Sequence, residues 1–212
     1  MVDYVNRGVY TYSEASRLLN FSSARIRGLL NGYKNSKPVL NKNTIICDEK
    51  EYLSFLDLIE IKFIKYFLEI GIKRSEIIKA YRKARKELSR EHPFATKFTT
   101  DGVYIFADNN YQLLGLSASQ YAFRNFFELY DGIDFKNELV SSWKPYPKDL
   151  KNVILDPEIR YGQPVIVGYN VLTRTLYDIY IAENKNINNV KKWYNLPENL
   201  IMEAIKFEER LN

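Results

Sequence analysis

Apolar and polar residues recur at helical spacing near the start of the chain, in the stretch TYSEASRLLNFSSARIRGLL, residues 11–30. Thr11 or Ser13 has the side-chain oxygen that an N-cap needs, so a first helix is predicted to begin there. The apolar positions of this helix share one face: Ala15, Leu18 and Leu19. Asn20 suits the turn that ends it.

A second helix is predicted directly after this turn, with Ser22 or Ser23 as its N-cap. Its inward positions follow the i, i+3, i+4 pattern and are Ile26, Leu29 and Leu30. Its opposite face is polar and carries Ser23, Arg25 and Arg27, with Asn31 and Lys34 after them. Two short helices joined by a polar turn either read a DNA groove or only pack on each other, and the pattern leaves both open.

The stretch KPVLNKNTIICD is predicted to be a hairpin. Two β-favouring runs, Val39-Leu40 and Thr44–Cys47, flank the turn-prone residues 41–43. A hairpin after the second helix is the position of the wing in a winged helix-turn-helix, and Lys42 is predicted to lie at its tip.

Two longer helices are predicted next. The first runs through LSFLDLIEIKFIKYFLEIG to Gly71, and the second through KRSEIIKAYRKARKELSRE. The inward face of the second helix holds Ile77, Ile78, Tyr81, Ala84 and Leu88. Its other face is basic and is more typical of a solvated surface than of phosphate contact; it holds Lys79, Arg82, Lys83, Lys86 and Arg90.

The middle of the chain is aromatic-rich. A hairpin or strand is predicted around Asp101-Gly102, a helix from Ser117 or Ser119, and an extended region up to Leu155 that bends near Trp143. Aromatic residues in such a region can stack on bases, but they more often fill a core or a protein interface.

The last region predicts a short strand, Val165 to Val167, and then three helices: one over about 173–182, one from Asn186 or Asn188 to Tyr194, and one over about 198–211. The inward positions of these helices are predicted to be Leu176, Ile179, Val190, Trp193, Ile201, Ala204 and Ile205. The chain therefore divides into 1–92, 93–155 and 156–212. The fold class is mainly α with small β elements: an N-terminal winged helix-turn-helix, an α/β middle segment and a C-terminal trihelical domain.

Charge is unevenly distributed along the 212 residues. The net charge is +5, and residues 1–100 hold 19 of the 31 Lys and Arg but only 11 of the 26 Asp and Glu. This polarity favours a polyanionic partner at the N-terminal end. No apolar run is long enough for a membrane span and the first residues do not resemble a secretory signal, so we expect a cytoplasmic protein.

Catalytic chemistry has little support in the sequence. The single cysteine, Cys47, excludes an internal disulfide, and the single histidine, His92, is more typical of a turn than of a general base. Asp156 and Glu158 beside a proline suit a turn, and GQPVIVG lacks the Gly-Lys-Ser/Thr of a phosphate loop. Neither a metal nor another cofactor is implied.

Two family resemblances cover nearly the whole chain. The stretch VYTYSEASRLLNFSSARIRGLLNGY, with LSFLDLIEIKFIKYFLEIGIKRSEIIKAYRKARKEL, resembles the DNA-binding domain of MerR-type regulators. The cysteines of metal-sensing members and their long dimerising helix are missing here, so the resemblance does not extend to metal-responsive activation.

The segment from Asp156 to Leu211 resembles a small bacterial domain of unknown function, number four hundred and thirty-three in its series, which is associated with antitoxins. The matching pattern is Asp-Pro, Gly-x-Pro-Val-Ile, Gly, a helix, and Tyr-x-Leu before a last helix. Relatives often carry Thr-Arg after the glycine, where this chain has Tyr169-Asn170 and its nearest arginine is Arg174. Together the two ends are similar to a VapB-like antitoxin, whose usual partner is a PIN-type ribonuclease toxin.

The resemblance implies a DNA-binding antitoxin that represses its own operon, acts as a homodimer and neutralises the toxin by contact. The DNA-contacting residues are then expected to be Ser23, Arg25, Arg27, Lys34, Lys37 and Lys42. The toxin-binding surface is assigned, as a hypothesis, to Phe126, Phe127 and Trp143. The neutral C-terminal region is interpreted as a dimer or partner interface. The alternative is a protein-interaction module that keeps the helix-turn-helix shape without binding DNA, and an enzyme comes third.

Overall fold

In a computed structural model, the described part of the chain is mainly helical and forms three small antiparallel sheets. The model describes residues 8–34, 37–40, 45–87, 89–96 and 130–211. The helices in these ranges are α1 Tyr12–Leu19, α2 Ser23–Asn31, α3 Phe55–Glu69, α4 Arg74–Glu87, α5 Thr173–Ala182, α6 Ile187–Tyr194 and α7 Glu198–Leu211. The strands are β1 Ile45–Cys47, β2 Lys50–Tyr52, β3 Ile133–Lys136, β4 Leu139–Trp143, β5 Val153–Ile154 and β6 Val165–Ile166. The predicted fold class is thus confirmed at the level of mainly α with small β elements.

The first two helices begin and end where the sequence predicts. Thr11 caps α1 in a reciprocal capping box with Glu14, and Asn20 ends the helix in the left-handed conformation with φ 46°. Ser22 then caps α2 by accepting a hydrogen bond from the backbone N–H of Arg25. The predicted inward residues of both helices are buried: Ala15, Leu18, Leu19, Ile26, Leu29 and Leu30.

The hairpin that follows α2 lies later in the chain than predicted. Strand β1 pairs with β2 around a turn at Asp48 and Glu49, which both have positive φ. Val39 and Leu40 form no strand because their backbone N–H groups donate to the carbonyl oxygen of Leu29 and their side chains are buried. They close the end of α2 instead. Lys42 lies outside the described residues.

Helices α3 and α4 form the next layer. Ser54 and Asp57 make a capping box at the start of α3, which is largely buried. Gly71 then turns the chain with φ 90° before α4. Ile77, Tyr81 and Ala84 on α4 are buried as predicted. Tyr81 packs edge-on against Phe94, with ring centroids 5.0 Å apart.

The described part of the middle region is built from short paired strands. Strand β3 pairs with β4, with a bulge between Asp134 and Phe135, and Trp143 at the end of β4 also bridges Leu155. Strand β5 pairs with β6. The predicted hairpin at Asp101-Gly102, the predicted helix from Ser117 or Ser119, and the candidate contacts Phe126 and Phe127 lie outside the described residues.

The three C-terminal helices occur where the sequence predicts them, and α5 and α7 pack closely. Leu176, Val190, Ile201, Ala204 and Ile205 are buried as predicted, while Ile179 is partly buried. The prediction for Trp193 is wrong: its side chain is 72% exposed. Val190 and, four residues later, Tyr194 supply the inner face of the short helix α6, which leaves Trp193 on its solvent side.

Tyr10 joins the N-terminal residues to the start of the C-terminal region. Its buried hydroxyl donates to the carbonyl oxygen of Gly162 at 2.5 Å, and the backbone N–H of Val9 donates to the carbonyl oxygen of Tyr161. A Cβ on Gly162 would lie 2.3 Å from the Tyr10 hydroxyl, and φ at this glycine is 77°, so both space and conformation require glycine. One cluster of buried residues accordingly extends from Tyr10 to Phe207.

Lys62 links α3 to β4. Its Nζ lies 5.3 Å from the ring centre of Phe63 and 5.8 Å from that of Trp143. Burial lowers the pKa of Lys62 to about 8. The folded protein therefore holds this lysine at a cost, because removing an ammonium group from water disfavours its charged form.

We expect Lys62→Met to raise the free energy of unfolding by about 1–2 kcal/mol at pH 7. Because the folded-state pKa is the lower one, the unfolded chain binds more protons between pH 8 and 10, and wild-type stability rises relative to the variant in that window. Urea unfolding at pH 7 and pH 9.5 measures the difference. The exposed Lys79→Met is the control, and a destabilised Lys62→Met at pH 7 would mean that the aromatic contacts outweigh the burial cost.

Candidate functional site

The outer face of α2 presents two arginines, Arg25 and Arg27, and both are exposed. They flank Ile26, which is fully buried and fixes the rotation of the helix about its own axis. Among the residues that the structure describes, no carboxylate lies within ion-pair distance of either guanidinium. Both groups therefore remain available for an external acceptor.

Aromatic rings hold both guanidinium groups in place. The Cζ atom of Arg27 lies 4.7 Å from the ring centre of Tyr12, and that of Arg25 lies 5.7 Å from the ring centre of Phe21. The hydroxyl of Tyr12 donates to Oε2 of Glu51 on β2 at 3.2 Å. Burial, with the nearby charge of Glu51, raises the pKa of Tyr12 to about 12, so the phenol remains protonated and keeps this bond.

Ser23 does not belong to the exposed polar face. Its hydroxyl donates to the backbone carbonyl oxygen of Tyr12 at 3.0 Å, and the residue is partly buried. It joins α2 to α1 across the turn, and its role as a DNA contact stays a prediction.

Lys34 and Lys37 are exposed beyond the end of α2, as a phosphate-contacting residue has to be. The backbone around them is fixed by Arg74, a residue that the sequence analysis did not single out. Its guanidinium donates to the carbonyl oxygens of Gly28 at 2.7 Å and Lys37 at 3.2 Å, and it lies 5.0 Å from the ring centre of Tyr33. Arg74 lies 46 positions from Gly28, so no spacing in the sequence indicates this contact. The only available signal is that an arginine can donate several hydrogen bonds.

The β1–β2 hairpin is acidic where a phosphate-binding wing has to be basic. Its turn carries Asp48 and Glu49, and strand β2 adds Glu51. The described residues of the hairpin include one basic side chain, that of Lys50. Carboxylates repel the DNA backbone, so this turn is unsuited to phosphate contact. The prediction of a basic tip depends on Lys42, which lies outside the described residues.

The predicted partner surface changes with the structure. Trp143 is 4% exposed and belongs to the core, so its assignment to a partner surface is wrong. His92 is buried too, and its ring nitrogen Nδ1 lies 3.2 Å from Oε2 of Glu60. The sequence placed it in a turn, but the imidazole takes part in a buried polar cluster.

Within the described part of the chain, no helix has both the length and the apolar composition needed to cross a membrane.

Comparison with known proteins shows which solved structure shares this fold, and it assigns no function. No family model matches this sequence, and no curated protein matches it. The crystal structure of Rv2018 from Mycobacterium tuberculosis is similar, with a TM-score of 0.72 and 21% sequence identity over 92% of this chain and 96% of that one. At this identity the likeness establishes a shared fold along almost the whole chain.

Proposed function

We propose that this protein is a DNA-binding antitoxin in which residues 1–92 form a MerR-like winged helix-turn-helix. Helix α2 is the recognition helix and enters the major groove. The observation that carries the proposal is the pair Arg25 and Arg27: two exposed guanidinium groups, each resting on an aromatic ring, on a helix whose other face is buried.

These two residues suit base recognition because a guanidinium can donate two hydrogen bonds to O6 and N7 of guanine. The stacking on Tyr12 and Phe21 restricts the side chains before binding, which lowers the entropy lost when they contact DNA. Lys34 and Lys37 are proposed as phosphate contacts, and Lys42 stays a predicted one.

The acidic hairpin limits how the helix can dock. Asp48 and Glu49 have to stay away from the phosphates, so α2 is expected to approach the groove with its N-terminal half, where Arg25 and Arg27 lie. In this geometry Glu51 acts through Tyr12 on the position of Arg27 without itself contacting DNA.

The antitoxin part of the proposal rests on the resemblance of residues 156–212 to the antitoxin-associated domain. We propose that this trihelical, helix-turn-helix-like region and the middle region hold a homodimer together and bind a PIN-type ribonuclease toxin. Helix α6 offers the exposed Trp193, a residue type that is enriched at protein interfaces.

A fluorescence anisotropy titration tests DNA binding. The probes are a labelled fragment from upstream of the protein's own gene and an unrelated fragment of the same length, at 50 and 200 mM salt. We expect about 10³-fold tighter binding to the upstream fragment and a loss of affinity at the higher salt concentration. Equal affinity for the two fragments would contradict operator recognition.

The second candidate function is a protein-interaction module without DNA binding. The acidic turn Asp48-Glu49, which follows α2 in the chain, favours it, because it lowers the attraction of this region for a polyanion. Its expected result is no specific binding to the upstream fragment, together with a stable complex between this protein and the product of a neighbouring gene.

A further inference from the structure

Three side chains that can bind a metal meet between α3 and the segment after α4. Nδ1 of His92 lies 3.2 Å from Oε2 of Glu60 and 3.9 Å from Oδ1 of Asp57. One donor atom from each residue lies within 4.8 Å of the other two, and all three residues are buried. Bonds of about 2.0–2.2 Å to one ion place its ligand atoms roughly 3–3.5 Å apart, so a small inward shift suffices.

The remaining carboxylate oxygens are held by donors outside this cluster. Oδ2 of Asp57 accepts hydrogen bonds from the backbone N–H and the hydroxyl of Ser54, at 2.9 and 2.7 Å. Oε1 of Glu60 accepts from the backbone N–H of Phe94 at 3.1 Å. Each carboxylate thus has one oxygen held by outer donors and the other near His92, which is how outer hydrogen bonds orient metal ligands; Oε2 of Glu60 also accepts from the Tyr81 hydroxyl at 3.2 Å.

A cleft gives access to this cluster. It has a volume of about 760 Å³ and runs between the start of α3 and the β3–β4 hairpin; its lining includes Ser54, Arg90, His92, Ser141 and Asp156. His92 is the member of the cluster that lines the cleft, so an ion can enter beside the imidazole.

We propose that Asp57, Glu60 and His92 bind one divalent transition-metal ion, with Zn²⁺ as the preferred class. Nitrogen and carboxylate ligands from three residues suit Zn²⁺, and a water or a small ligand from the cleft completes the coordination. This inference does not depend on DNA binding.

Binding requires that Nδ1 gives up its hydrogen bond to Glu60 and coordinates the metal through its lone pair instead. The proton that Nδ1 carries is released to solvent, or a neutral ring keeps its proton on Nε2. Because a ligating nitrogen must carry no proton, protons compete with the ion for Nδ1.

Isothermal titration of the full chain, first dialysed against EDTA, tests the site with Zn²⁺ and with Mg²⁺ as the comparison. We expect one Zn²⁺ per chain and at least tenfold weaker binding of Mg²⁺. His92→Asn keeps a hydrogen-bonding nitrogen near the position of Nδ1 but is a poor ligand, so it should weaken Zn²⁺ binding at least tenfold. Asp57→Asn should also weaken Zn²⁺ binding, and it replaces His92→Asn in the test if that variant does not fold.

The exposed Cys47 is the other group that could capture zinc, so Cys47→Ser is the control and should leave binding unchanged. Substitution with Co²⁺ adds a second readout, because a thiolate ligand gives a near-ultraviolet charge-transfer band that carboxylate and imidazole ligands lack. The absence of stoichiometric Zn²⁺ binding to the wild type, or binding lost in Cys47→Ser and kept in His92→Asn, would overturn the proposal.

Discussion

Replacing Arg25 and Arg27 together with alanine is expected to weaken binding to the upstream DNA fragment by about 2–6 kcal/mol, roughly 30-fold to 10⁴-fold. Each lost guanidinium removes a two-bond contact to a base edge. The fold should be retained, because both side chains are exposed and each loses only a stacking contact of about 0.5–1 kcal/mol. Anisotropy titrations with both fragments measure the change.

The matched control is Arg82→Ala with Arg85→Ala on the exposed face of α4, which removes the same charge. If base contact is the cause, the control loses only the general electrostatic attraction and keeps its preference for the upstream fragment. An α2 double variant with unchanged affinity and salt dependence would exclude α2 as the reading helix. Equal losses of DNA affinity in the two double variants would mean that α2 contributes only through its positive charge.

Replacing Glu60 with alanine is expected to lower the free energy of unfolding by about 3–5 kcal/mol. The carboxylate is buried and accepts hydrogen bonds from the Tyr81 hydroxyl at 3.2 Å and the Phe94 backbone N–H at 3.1 Å, besides its contact with His92. The substitution leaves these groups without their acceptor inside the core, and it also opens a cavity.

Urea unfolding in EDTA measures this effect, so that no metal contributes to stability. Glu69→Ala on the same helix is the control. Its side chain is 59% exposed and pairs with Lys65 four residues earlier, and we expect a change below about 0.5 kcal/mol. A loss as small as the control's would mean that the cluster of Glu60, His92 and Tyr81 contributes little to the folded state.

Local signals explain where the sequence analysis succeeded. Thr11 and Ser22 cap the starts of α1 and α2, and Asn20 caps the end of α1, through hydrogen bonds to residues no more than four positions away. Such short-range bonds can be predicted from the sequence. The hairpin was misplaced by the same local reasoning. Val39 and Leu40 have β propensity, but a long-range closure over the end of α2 buries them, and the turn formed instead at Asp48-Glu49.

The candidate site divides in the same way. The exposure of Arg25 and Arg27 follows from helical periodicity around Ile26, so the sequence located these two residues. That Ser23 bonds back to Tyr12 and that Arg74 fixes the backbone at Gly28 depends on side chains from other elements. The same holds for Trp143, which is buried, and Trp193, which is exposed.

Bonds within one turn and periodicities of three to four residues allow the helices, the caps of α1 and α2 and most of the buried positions to be predicted from the sequence alone. Only the tertiary structure brought His92 to Glu60 across 32 positions and Tyr10 to Gly162 across 152. Such contacts depend on how the helices pack in space, and no local pattern encodes that packing. The polar cluster and the junction of the two chain ends therefore emerge only from the folded chain.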